Sequence, residues 1–89
     1  LTLVCALVLP VAAWAHGPVE PDQVELFVSV VIGQGCRMDA LTAPRIEAAT
    51  GFEPHTLSDI VAFLFSEARI APLADEPGLR LIDPACGAG

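Results

Sequence analysis

The sequence predicts an α+β domain of three short helices followed by a small antiparallel β-hairpin, stapled by one disulfide. Three observations lead there. From Pro54 to Arg69, Leu57, Ile60, Val61, Leu64 and Ala68 fall at i, i+3, i+4, i+7 and i+11, one stripe of a 3.6-residue helix. From Ile70 to Asp83, two short extended runs flank Ala74-Asp75-Glu76-Pro77-Gly78, which is turn chemistry. Cys36 and Cys86 are the two cysteines that remain once an apolar leader is set aside.

That leader is Leu1 to Ala15, almost wholly apolar and without a charge. Ala13-Trp14-Ala15 supplies a small-residue cleavage pattern, so residues 1–15 read as a secretory signal. The run is shorter than the ~20 residues a membrane-spanning helix needs. No Lys or Arg precedes it, and the basic part of the signal is expected upstream of Leu1. The expected location is the bacterial periplasm or the extracellular space, with no membrane attachment after cleavage. All 11 acidic residues and all 4 arginines lie beyond the leader, and the net charge is −7. Such a balance argues against nucleic acid and anionic membranes as partners.

Residues 16–20 form a stiff polar leader with Pro18, and Pro21 opens the domain, which is expected over 21–86. Pro21 suits the first helical position, where its missing N–H costs nothing, and Asp22 and Glu25 complement the helix dipole. The stretch Val24 to Ile32 fits two patterns. As a helix, Val24, Phe27, Val28 and Val31 share a stripe; as a strand, Val24, Leu26, Val28, Val30 and Ile32 share a face. The start signals and Gly35 just past the end favour the helix. That helix leaves Leu26 and Val30 on its far side.

Cys36-Arg37-Met38-Asp39 is a short strand or extended link. Asp39 or Thr42 then caps a second helix that tolerates Pro44 in its first turn, turns Ile46 and Ala49 inward and stops at Gly51. Phe52 is a core anchor in the following turn. Pro54 starts the third helix, with Glu53 a poor cap and Thr56 an alternative one. Leu79 to Asp83 is the last strand, ended by Pro84, and residues 87–89 form a frayed tail.

A domain this small sits near the lower limit for a self-sufficient core. A Cys36–Cys86 bridge would close a loop of about 50 residues and stabilise by about 4 kcal/mol. A free thiol pair, an intermolecular bridge and a metal site are the rival uses. The absence of a CxxC motif or a neighbouring His makes the metal the least suited of them.

The order helix, short strand, helix, helix, hairpin resembles a winged helix-turn-helix domain. The resemblance covers Pro21 to Asp83 and is carried by Gly35-Cys36-Arg37-Met38, Gly51-Phe52, the helix from Pro54 and the turn at Asp75 to Gly78. It implies that the first short strand pairs with the last strand of the wing, so that Cys36 and Cys86 meet at that edge. It also implies that the third helix would face DNA. Here that outward face reads His55, Ser58, Asp59, Ala62, Phe63, Ser66 and Glu67, with Arg69 only at its end. Phosphate contacts from cations supply most non-specific DNA affinity, so DNA binding is not expected.

Three chemistries remain. His16, as the residue after the cleavage site, could chelate Cu(II) through its amine and imidazole with His55 as a second ligand, an arrangement similar to a histidine brace. His55, Ser58 and Asp59 cluster on one helix face, but a hydrolytic triad also needs an oxyanion hole and a walled cleft. A non-catalytic interaction or accessory module with no cofactor fits best. Its expected patch is Phe63 with Leu26 and Val30, a surface for a protein partner or self-association.

Overall fold

The computed structural model describes residues 19–87. Residues 1–18, which include the expected signal and His16, and the last two residues lie outside that range. Three α-helices and a three-stranded antiparallel sheet occur among the described residues: α1 Pro21–Gly33, β1 Arg37–Met38, α2 Ala43–Thr50, α3 Pro54–Ser66, β2 Ile70–Pro72 and β3 Leu79–Leu81. A 3₁₀ turn follows at Pro84–Cys86, capped by the Asp83 carboxylate, which accepts the Ala85 N–H at 2.9 Å. No helix in this range is long and apolar enough to cross a membrane.

The ambiguous stretch is helical. Val24, Phe27, Val28 and Val31 are its buried residues. Its end explains the choice. The Gly35 N–H donates to the Ile32 carbonyl and the Cys36 N–H to the Val31 carbonyl, with Gly35 at φ 84°. This paired closure satisfies carbonyls that a helix end would otherwise orphan. A strand would have buried Leu26, which is 42% exposed. Val30, expected on the far side, is half-buried and packs against the core.

The predicted α3 ran to Arg69 with Ala68 on its inward stripe. The helix stops at Ser66, and Ala68 is exposed at φ 58°. The same closure ends it: Ala68 N–H to the Phe65 carbonyl at 3.0 Å, and Arg69 N–H to the Leu64 carbonyl at 2.8 Å. Here an alanine occupies the left-handed position that glycine usually takes, which carries a steric cost of about 1 kcal/mol. The turn frees Ile70 to enter the sheet, where it is buried against Leu81. In α2, Ile46 is buried as expected, but Ala49 faces solvent. Thr56 does not cap α3; Glu53 is the capping position and its side chain makes no capping bond.

The strand order is β1-β3-β2. Met38 faces Leu79 and Arg37 faces Arg80 across β1 and β3, while Ile70 faces Leu81 across β2 and β3. The first short strand therefore pairs with the last strand of the hairpin. Alternation then sends Ile70 and Leu81 inward and the two arginines outward. The core consists of Val24, Phe27, Val28 and Val31 from α1, Ile46, Ile60 and Leu64 from α2 and α3, and Ile70 and Leu81 from the sheet. Phe52 is half-buried against it.

The disulfide joins Cys36 to Cys86, with Cα atoms 6.0 Å apart. Cys36 precedes β1, and its carbonyl accepts the Leu81 N–H at 2.9 Å, so the bridge clamps the end of the β1–β3 ladder. In the hairpin loop, Gly78 sits at φ 129°, and a Cβ there would lie 2.9 Å from the Met38 carbonyl oxygen. Gly78→Ala should therefore destabilise by about 2 kcal/mol, read as a lower urea midpoint. An unchanged midpoint would show that the loop yields freely.

Candidate functional site

Two features could carry function: the exposed flanks of α3 and the polar junction between β1 and α2. On α3 the buried stripe is Ile60 and Leu64, with Leu57 and Val61 half-buried beside them. Phe63 and Phe65 are 36% and 45% exposed. Two residues of helix turn through about 200°, so these rings flank the buried stripe on opposite sides. Phe65 was not anticipated, although a wheel count at 100° per residue places it off the stripe. Leu41 and Ile82 were missed as well, and both are exposed. Strand alternation from buried Leu81 already points Ile82 away from the core.

Leu26 lies on the solvent side of α1, at 42% exposure. Of the three residues expected to form the patch, Leu26 and Phe63 are exposed, whereas Val30 is half-buried against the core. A shallow cavity of about 260 Å³ opens on the other flank of α1, lined by Val24, Glu25, Val28, Ser29, Ile32 and Arg69. Its rim thus pairs an acid with a base, and Arg69 is anchored 3.6 Å from the Asp83 carboxylate.

His55 is exposed near the start of α3, and its Nδ1 stands 3.3 Å from Glu53 Oε1. No hydrogen bond links it to Ser58 or Asp59 among the described residues. Neither is there a group of three or more His, Cys, Asp or Glu side chains placed to hold a metal ion within that range. His16, the other copper candidate, falls outside it.

The β1–α2 junction is better ordered. Asp39 Oδ1 accepts the backbone N–H groups of Leu41 and Thr42, both at 3.0 Å. Thr42 Oγ1 accepts the Asp39 N–H at 2.9 Å and donates to the Arg37 carbonyl at 3.0 Å. This reciprocal pairing satisfies the turn that precedes α2 and explains why Thr42 can be buried. Thr42 is the capping position of α2 and its side chain makes no capping bond to the helix; Asp39 instead holds the turn that leads into it. Arg37 reaches both the Asp39 carboxylate at 3.1 Å and Glu76 of the hairpin loop at 2.9 Å.

The Thr42 N–H holds the Asp39 carboxyl below its ordinary range, and Arg37 adds to this against the opposing effect of desolvation. Glu76 first and then Asp39 hold the Arg37 guanidinium more firmly protonated. Because the folded carboxyl titrates lower than the unfolded one, its stabilisation is fully present above the unfolded value of about 3.9. It is lost as pH falls through the lower folded value. Asp39→Asn keeps an acceptor for the turn before α2 but removes this linkage. Melting temperature followed from pH 5 to pH 2 should therefore fall less steeply in the variant. Parallel profiles would assign the acid sensitivity to other carboxylates.

No family model matches this chain, and neither a curated protein nor a solved structure does.

Proposed function

We propose that this protein is an exported, non-catalytic interaction module whose contact surface is the exposed apolar flank of α3 around Phe63, together with Leu26. The observation that supports this reading is the exposure of large apolar side chains on a domain with a small core. Among the described residues, Leu26, Leu41, Phe63, Phe65 and Ile82 all reach solvent while nine apolar residues are buried. Where such side chains join into one patch, exposed apolar surface marks an association site. The winged-helix-type layout serves here as a scaffold, because fold alone does not bring DNA binding with it. The solvent side of α3 and its C-cap carry Asp59 and Glu67 and no Lys or Arg, which disfavours a polyanion.

Phe63→Asp separates surface from core. If Phe63 is a contact residue, the variant keeps a cooperative melt within about 1 kcal/mol of the parent and shifts the concentration-dependent sedimentation of the chain toward the monomer. A cooperative parent that becomes an unfolded variant would place Phe63 in the core. A folded variant with unchanged sedimentation, together with unchanged binding to partners captured by the parent, would remove this face as the contact site.

A further inference from the structure

The outer face of the sheet holds an arrangement that the interaction reading does not use. Arg37 and Arg80 are direct partners on β1 and β3, so their side chains share one face. They are two of only four cations in a chain of net charge −7. Like charges placed opposite each other are destabilising unless something lies between or beside them. Arg37 is supplied with Asp39 and Glu76, whereas Arg80 is exposed and has no ion-pair partner among the described residues. Both arginines line a cavity of about 410 Å³ whose other walls include Leu73, Ile82 and the Cys36–Cys86 bridge. That volume is within the range of small-molecule sites, and the lining joins a charged end to an apolar wall.

We propose that this cavity binds a small organic carboxylate with an apolar portion, held by the Arg37 and Arg80 guanidinium groups. Arg–carboxylate pairing is charge-assisted and geometrically matched. The two acids on Arg37 differ in kind. Asp39 is committed to the turn before α2 through two backbone N–H groups. Glu76 comes from the hairpin loop, is half-exposed, and holds only Arg37 among the described residues. An exposed pair of that type is easily exchanged. Glu76 therefore occupies Arg37 in the free protein, and the incoming carboxylate replaces it while gaining Arg80. The bound state carries one protein charge fewer at the site to oppose the ligand, and the Glu76 tie between the hairpin loop and β1 is broken.

The test is titration of the oxidised chain with benzoate, succinate and inorganic phosphate, followed by the arginine side-chain N–H resonances. Benzoate should saturate with a dissociation constant near 1 mM, about the strength of one such pair plus a small apolar contact. Arg80→Gln should weaken it about tenfold, and Arg80→Lys, which keeps the charge but loses the planar fork, several-fold. Arg45→Gln makes the same charge change on α2 and should leave binding within about twofold. Glu76→Gln should tighten binding about threefold, and Asp75→Asn, its neighbour, should not. Absence of saturation by ~20 mM benzoate, equal losses for the Arg45 and Arg80 variants, or equal effects of Asp75→Asn and Glu76→Gln would each overturn the proposal. Binding of phosphate as tightly as benzoate would overturn the carboxylate assignment. Arg80→Lys preserves the charge of the sheet and keeps the test open if Arg80→Gln fails to fold.

Discussion

Reducing the Cys36–Cys86 bridge should lower the melting temperature of the chain by about 20 °C, enough to leave much of it unfolded at ambient temperature. The closed loop spans a sequence separation of 50. In the chain-entropy account, freeing a loop of that length returns about 4 kcal/mol to the unfolded state. Domains of this size hold about 0.05–0.15 kcal/mol per residue in all, so the bridge is of the same order as the whole net stability. The conversion to temperature is about 4–8 °C per kcal/mol for a small domain. The local structure adds a reason. Cys36 is held at φ 65°, a left-handed conformation that a side chain resists. Its carbonyl nonetheless anchors the Leu81 N–H at the end of the ladder. Circular dichroism melts with and without reductant, and of the Cys36→Ala/Cys86→Ala chain, check this. Coincident melts would mean that the ladder and the nine-residue core suffice by themselves.

Leu64→Ala should cost about 3–4 kcal/mol, the largest effect expected of any single side chain in α3. Leu64 is 0% exposed and is a member of the core cluster. Truncation leaves a cavity, and a small core has few neighbours able to collapse into it. The backbone of Leu64 also takes part in the helix end, its carbonyl accepting the N–H groups of Glu67 and Arg69, but alanine leaves those bonds possible. The loss should therefore appear as a lower urea midpoint with an unchanged slope. The contrast with Phe63→Asp, one residue away, is the informative part. A loss of under 1 kcal/mol at Leu64 would mean that α3 is seated less firmly than its burial shows.

The elements were legible wherever the deciding physics was local. Pro21 and Pro54 at helix starts, Gly51 after α2 and the Pro77-Gly78 turn act over a few residues, and each element begins or ends where those residues predicted. The α1 closure at Gly35 likewise decided helix against strand. The end of α3 was misplaced because nothing local marks it. Ala68 takes a left-handed conformation, although an alanine in an apolar period reads as more helix. What holds it there is distant: Ile70 must enter the sheet beside Leu81. The candidate site shows the same division. Phe63 and Leu26 were visible as residues out of step with their stripes, whereas Val30, equally out of step, is half-buried against the core.

The sequence by itself determined the α+β class, the order of elements and the acidic balance, and it made a Cys36–Cys86 bridge the expectation that the structure bears out. These follow from periodicity, turn chemistry and composition, which a short window contains. Only the tertiary structure decided that Arg37 stands opposite Arg80, that Glu76 reaches back to Arg37, and that Asp39 and Thr42 hydrogen-bond to each other in the turn before α2. Strand register depends on contacts between segments about 40 residues apart. It is selected by which pairing buries Ile70, Leu81 and the α1 stripe together, a competition that no local pattern records.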